Sequence, residues 1–360
     1  MLGHDAQRSG VSPYSGPDRP ELLWQVAVGG PDWSSPAVAR DGTIYVGGTG
    51  TELGEDGGLY AVHRDGRLAW VVRTHGDVMS SPSIAADGTV YVASWTGFGD
   101  GRFYAVRPDG TLRWQYATGD SQSSAAVAAD GAVYLCTADG HLYAFEPDGA
   151  LRWRFETGGD AWLSSPALSA DGTVYFGLQL HRDIYMVGTL FAVDAQGREK
   201  WRFSLDAPMQ DSYMDRPPAV SADGTVYIFR NDTGTLFAIS PDGSERWHFD
   251  ADGDVQTFPG LGPDGTVYFG SDSGTIYALR PDGSRMWELS TPYVVQSSPA
   301  IDAEGTLYFA SGGLVAVNPD GTLKYRALDT GFGSNSPAIG ADGTVYLVGN
   351  EGLAAVGDAR

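Results

Sequence analysis

The chain has 360 residues, with 45 acidic against 23 basic side chains and a formal net charge of −22. No basic stripe is available to meet phosphates, which argues against a nucleic-acid partner, and no apolar run reaches the roughly 18 residues that a membrane span requires. A single cysteine, Cys136, excludes an internal disulfide and any cysteine–histidine metal cluster, and reads as a buried, inert thiol.

Residues 1–21, with Pro13, Pro17 and Pro20, read as an extended lead-in. The polar start Met1-Leu-Gly-His-Asp-Ala lacks the apolar stretch of a signal peptide. Retention inside the cell and export with a trimmed leader both stay open, and export is the expectation taken.

From Leu22 onward one paragraph recurs: Ser-Pro-Ala-Val, Asp-Gly-Thr-Val-Tyr, Gly-x-Leu-Tyr-Ala-Val, Pro-Asp-Gly-x-Leu-x-Trp. Its closing aromatic falls at Trp24, Trp70, Trp114, Trp153, Trp201, Trp247, Trp287 and Tyr325, and its first turn at Asp41, Asp87, Asp130, Asp171, Asp223, Asp264, Glu304 and Asp342. A period of about 40 residues holding four short strands is the signature of propeller blades. Within a unit, the small, proline-bearing segment such as Ser35–Val38 suits an innermost edge strand, A, because proline cannot donate to a ladder. Thr173–Gly177 and Leu142–Phe145 are apolar on both faces, as middle strands B and C should be. Leu151-Arg-Trp-Arg-Phe155 alternates strictly and reads as a half-exposed outer strand, D. The chain opens on a D strand, Leu22–Val26, and closes on an A, B and C set at 336–356, so the first strand is expected to complete the last blade. The expected fold is all-β: an eight-bladed β-propeller of four-stranded antiparallel blades, one cyclic domain over residues 22–360.

Much of the acidity is turn chemistry, since the A–B turns carry one acid each and the C–D turns add Asp65, Asp109, Asp148, Asp242, Asp282 and Asp320. Those turns make one uniform face. The opposite face gathers the variable segments 47–58, 94–101, 177–188, 206–216 and 230–234, the usual arrangement for a scaffold that holds a site.

Two positions before each A-strand proline, or before Ala125 in its place, stand Ser34, Ser80, Ser123, Ser164, Arg216, Thr257, Ser297 and Asn335. This ring is expected to form the channel mouth, with Arg216 as its one charged member. A guanidinium there offers a fork of donors to a carboxylate, sulfate or phosphate; a structural ion pair with Asp215 or Asp211 is the alternative. His181, Tyr185 and Tyr213 fall in loops of the same sector and would supply acid–base groups if the protein is an enzyme. One position earlier, Trp33, Met79, Gln122, Leu163, Asp215, Gln256, Gln296 and Ser334 mix aromatic, amide and acidic groups. Together with Trp95 and Trp162, the aromatic and amide members suit a sugar or another amphipathic ligand. The binding residues expected are therefore Trp33, Trp95, Gln122, Trp162, Asp215, Arg216, Gln256, Gln296 and Asn335. Loops such as Ser271-Asp-Ser-Gly lack the acidic spacing of a calcium site and read as turns, so no metal is expected.

These repeats, typified by Leu142-Tyr-Ala-Phe-Glu-Pro-Asp-Gly-Ala-Leu-Arg-Trp153, resemble the tryptophan-docking segments of the pyrroloquinoline-quinone-type, or quinoprotein-like, eight-bladed β-propellers. That family includes a non-catalytic branch typified by the outer-membrane assembly lipoprotein of the Bam complex. The resemblance runs from about Leu22 to Val356, with a shorter Pro-Asp-Gly turn in place of the family's Asp-x-x-Thr-Gly-Lys type. It implies the propeller fold. The family's quinone enzymes use adjacent cysteines and a calcium-bound quinone, and a chain with Cys136 alone cannot supply the pair, so no quinone or other cofactor is expected. Two functions follow: a non-catalytic propeller, acting as a monomer, that binds a small molecule, saccharide or peptide on the loop-rich face; or an enzyme acting there on an anionic small molecule or saccharide through Arg216, His181, Tyr185 and Tyr213.

Overall fold

The computed structural model describes residues 7, 9–30, 33–50, 57–158, 164–182, 185–204, 216–230, 233–328 and 334–358, with the backbone alone at 179–182 and 185–186. Their strands form eight separate four-stranded antiparallel sheets. Blade 1 runs Ala37–Val38, Ile44–Gly48, Gly58–Val62 and Leu68–Arg73, and the following blades repeat it in sequence. In blade 8, Ala338–Ile339, Val345–Gly349 and Gly352–Asp358 are joined by Pro20–Val26, paired from Pro20↔Asp358 to Val26↔Leu353. The N-terminal strand thus closes the ring, which leaves no whole blade edge open at the seam.

Burial follows the residue pattern that each strand carries. Strand B of blade 3, Val133–Thr137, is buried throughout, whereas strand D, Leu151–Glu156, alternates between exposed and half-buried positions. Strand A is only two residues long in every blade. The core is distributed over the seams between blades, each cluster drawing on two neighbours, as where Tyr134 and Leu142 of blade 3 meet Phe176 and Phe191 of blade 4.

The closing tryptophan couples one blade to the next. Trp114 packs on Tyr91 of its own blade at 5.7 Å between ring centroids, and its indole N–H donates to the Pro147 carbonyl of the following C–D turn at 3.0 Å. A β-carbon on Gly149 of that turn, which has φ of +91°, would lie 2.7 Å from the indole, so only glycine lets the turn rest on the ring. Trp24, Trp70, Trp153, Trp201, Trp247 and Trp287 donate in the same way. Each of these tryptophans faces an alanine of strand C across the ladder, as Trp114 faces Ala105, which accounts for the alanine of Leu-Tyr-Ala-Val.

Blade 7 breaks the pattern because its next neighbour has no C–D turn; the chain ends meet there instead. The Tyr325 hydroxyl donates to the Pro17 carbonyl at 2.9 Å, so Pro17 takes the place of the turn proline. Lys324 reaches Asp18 at 2.8 Å, and Ser15 donates to Glu304 at 3.1 Å. Asp302, only 2% exposed, accepts from the Gly16 N–H at 3.1 Å and the Tyr308 hydroxyl at 3.1 Å. At its position the other blades carry alanine, serine or glycine. Further in, the lead-in lies against the inner strands of three blades: the N–H groups of Val220, Leu261 and Ile301 donate to the carbonyls of Gln7, Ser9 and Gly10. It therefore runs along the inner strands of blades 5 to 7, on one side of the axial channel.

One segment expected as a loop is regular structure. Residues 177–182 and 185–188 continue strands B and C of blade 4, paired outward to Arg182↔Tyr185, while strand D follows only as far as Thr189↔Ser204. The result is a hairpin projecting from the loop-rich face.

Candidate functional site: an axial cavity on the loop-rich face

A cavity of about 990 Å³ opens on the loop-rich face along the axis, walled by the segments that lead into the A strands. The extended backbone there alternates its side chains, and the alternation decides what reaches the cavity. The expected mouth ring, two residues before the proline, mostly turns the other way. Ser34, Ser80, Ser164 and Ser297 accept hydrogen bonds from the N–H groups of Gly47, Ala93, Gly177 and Ala310 of strand B at 2.7 to 3.0 Å, and all four are at most 1% exposed. Thr257 makes the equivalent bond to the Gly270 carbonyl. These hydroxyls fasten the segment to its own blade.

Arg216 and Asn335 are the exceptions, since both line the cavity. Thirteen residues beyond the fastening hydroxyls stands glycine or alanine, but beyond Arg216 and Asn335 stand Phe229 and Val348, both buried. Phe229 takes the space that a small residue could share, and the Arg216 side chain is left on the axial side, whereas Val348 lines the cavity together with Asn335.

The residues immediately before the proline do face the cavity, and the sequence reading missed the serines among them. The N–H groups of Ser35, Ser81 and Ser124 donate to the hydroxyls of Ser81, Ser124 and Ser165, each at 2.9 Å. Those of Phe258, Ser298 and Ser336 donate to the hydroxyls of Ser298, Ser336 and Ser35 at 2.7 to 3.1 Å. This belt runs around the axis and is interrupted at blades 5 and 6, where Pro217 brings neither hydroxyl nor N–H and Phe258 no hydroxyl. A serine oxygen that accepts from the preceding blade still carries its own O–H, so the floor of the cavity holds hydroxyl groups able to donate.

Of the expected site residues, Trp33, Gln122, Arg216, Gln256, Gln296 and Asn335 line the cavity. Trp33 is 65% exposed at its rim, with Tyr293 at 51% on the wall. The Gln256 amide nitrogen donates to Asp272 at 2.8 Å and that of Gln122 contacts the Met79 sulfur at 3.3 Å, which leaves both amide oxygens as acceptors. Trp95 is half-buried in a loop bridged to Asp77 and is not among the described residues lining the cavity. Trp162, Tyr213 and Asp215 lie outside the described residues, as do the side chains of His181 and Tyr185, whose backbones sit near the tip of the projecting hairpin. The rim loop 96–101 is held by Asp120, whose carboxylate accepts from the N–H groups of Thr96, Gly99 and Gly101. Burial opposes ionisation of Asp120, but this donation outweighs it and holds the carboxyl below its usual value.

The family model described as outer membrane protein assembly factor BamB matches residues 16–123, 55–212 and 187–360. No curated protein sequence matches. Among solved structures, BamB from Moraxella catarrhalis is 16% identical with a TM-score of 0.67, over 93% of this chain and 99% of that one. A quinohemoprotein alcohol dehydrogenase from Comamonas testosteroni is 13% identical with a TM-score of 0.74, over 100% and 81%. Virginiamycin B lyase from Staphylococcus aureus is 11% identical with a TM-score of 0.56, over 95% and 99%. At these identities the structural likeness is one of fold, which hosts binders and enzymes alike.

Proposed function

The chain belongs to the family of the outer membrane protein assembly factor BamB, and from that membership we propose that it is a non-catalytic binding propeller, acting as a monomer, whose ligand or partner segment enters the axial cavity of the loop-rich face. The observation that carries this reading is the make-up of the wall: its described residues include no Asp, Glu, His, Cys or Lys. Amides, hydroxyls, aromatic rings and one guanidinium recognise polar molecules well, but they offer no side chain of the kind that usually exchanges a proton near neutral pH.

The same proposal leaves out a calcium-bound quinone, and the described wall residues support that. They supply no carboxylate for the ion, and Cys136 is buried in strand B of blade 3, away from the cavity. Export belongs to the same proposal, because the family description concerns the outer membrane. Among the described residues no helix is long and apolar enough to cross a membrane.

A thermal-shift screen of sugars, uronic acids and peptides tests the cavity, run in parallel on the wild type and on Gln296→Trp, which places an indole in the opening. Ligands that raise the midpoint of the wild type alone, and are recovered unchanged, support a binding role. Ligands that shift both proteins equally would remove the cavity from the proposal, and turnover of a hit would make the protein an enzyme.

A further inference from the structure

Resting on the axial cavity as the entrance, we propose that the partner is an extended peptide of small residues whose main chain pairs with the inner edges of blades 8 and 1. The chain itself shows the seat. In blades 5, 6 and 7 the second residue of strand A turns its N–H to the axis, and Val220, Leu261 and Ile301 find the carbonyls of Gln7, Ser9 and Gly10 at 3.0, 2.7 and 2.8 Å. The Ile301 carbonyl in turn accepts from the Ser12 N–H at 2.7 Å, and Val11 bridges Ile301 in parallel. The lead-in is therefore a strand added to these edges and held by main-chain bonds.

The other edges have the same geometry and lack the added strand. Val38 stands opposite Ile44 and Ile339 opposite Val345, as Ile301 stands opposite Leu307, so their N–H and carbonyl groups also point to the axis. Neither residue's axial groups meet a partner among the described residues. An edge left open in this way is a template for a strand of another chain. Ile84, Val127 and Leu168 repeat the arrangement in blades 2 to 4, but at blades 8 and 1 a cavity reaches the edge. It holds about 50 Å³ between Gly10 and Ser12 of the lead-in and Val38 and Ile339, and it meets the axial cavity at Ser35, Phe258 and Ser336, which line both.

Size fixes the partner's chemistry. Gly10 passes Pro299 so closely that a β-carbon on it would lie 2.8 Å from the proline carbonyl. Pro337 and Pro36 stand at that place in blades 8 and 1, beside the narrow cavity. An entering segment therefore needs glycine there and small side chains around it. The lead-in passes from blade 5 to blade 7 between Gln7 and Val11, so a hexapeptide spans two neighbouring edges.

Amide hydrogen exchange on the full chain, resolved by residue with NMR, tests this with acetyl-Ser-Gly-Val-Ser-Gly-Ala-amide as the probe. The comparators are the same peptide N-methylated at every residue, which cannot donate to an edge, and galactotriose. In the free protein Val38 and Ile339 should exchange roughly tenfold or more faster than Val220, Leu261 and Ile301. Saturating peptide should slow Val38 and Ile339 by roughly tenfold or more and leave the other three unchanged, whereas the N-methylated peptide should slow none. Gln296→Trp, which closes the entrance, should abolish the slowing. Unslowed Val38 and Ile339, or equal slowing by the N-methylated peptide, overturns the pairing. Faster exchange at Val220, Leu261 and Ile301 would mean that the peptide displaces the lead-in, which overturns the assignment to blades 8 and 1. If galactotriose alone raises the thermal midpoint and Gln296→Trp blocks it, the cavity stands as a site and the peptide assignment fails. If the peptide slows both amides equally in Gln296→Trp and the wild type, the pairing stands and the cavity falls as its entrance.

Discussion

Replacing Asp302 by alanine isolates what the lead-in contributes to closing the ring. Asp302 accepts four hydrogen bonds, from the N–H groups of Gly16, Glu304 and Thr306 and from the Tyr308 hydroxyl. Blades 1 to 3 carry Ala39, Ala85 and Ala128 at the same place and satisfy the N–H of Thr43, Thr89 and Ala132 through the turn aspartate, as Asp41 does for Thr43 at 2.9 Å. The double variant Asp302→Ala/Glu304→Asp therefore rebuilds the ordinary turn while removing the acceptor of the Gly16 N–H and one of the two hydroxyl partners of Tyr308, the other being Tyr325. Tyr308 is fully buried, and burial pushes its hydroxyl well above the usual tyrosine range, so it stays a proton donor at any working pH. An unmet buried donor costs about 1–3 kcal/mol; the partly exposed Gly16 N–H recovers some of its share from water and Tyr308 keeps Tyr325, giving about 1–3 kcal/mol for the double variant. A ring of this size need not unfold in two states, so the assay pairs a urea melt with limited proteolysis of residues 9–18. The expected result is an earlier transition together with faster cleavage of the lead-in. A transition shifted by less than about 1 kcal/mol with unchanged cleavage would show that Asp302 does not anchor the segment.

Gly149→Ala is expected to lower the thermal midpoint by the equivalent of more than about 1 kcal/mol, because alanine resists a φ of +91° and its β-carbon meets the Trp114 ring; a neutral outcome would deny that the turn rests on the indole. Ser298→Ala leaves the buried Phe258 N–H without its acceptor and should cost about 1–3 kcal/mol in a urea melt, with an unchanged midpoint counting against the axial belt. In the folded protein the Asp120 carboxyl is held below its ordinary aspartate value, so its stabilisation is fully present above that ordinary value and drains away as pH falls through the lower folded one. Acid titration of stability should therefore steepen below about pH 4 in the wild type and be shallower in Asp120→Asn; identical slopes would contradict this linkage.

The ring was legible because its coupling device is local and repeated. A tryptophan, the alanine opposite it and the glycine of the next turn recur at nearly fixed spacing, and each has a separate steric reason. The cavity wall was less legible because its direction depends on the phase of two-residue strands, and a one-residue change of phase reverses every side chain. Small residues at Ser34 and its equivalents fit a crowded axis as well as a bond into strand B. The resolving signal lay in the partner thirteen residues on, where Gly47 and Ala93 give way to Phe229. The path of the lead-in had no periodicity of its own to follow. Its trace was in blade 7, where Asp302, Glu304 and Tyr325 depart together from the repeat because they hold residues 15–18.

Pro20 lies opposite Asp358, and the Arg19 N–H donates to the Asp358 carboxylate at 2.6 Å, so both ends of the closing pair emerge at one point. Tension applied between them would load that ladder as a zipper rather than in shear, opening its bonds singly from Pro20 inward. Pulled apart at that point, blade 8 would open before the other seven, the stretch ahead of Pro20 being held separately on blades 5 to 7.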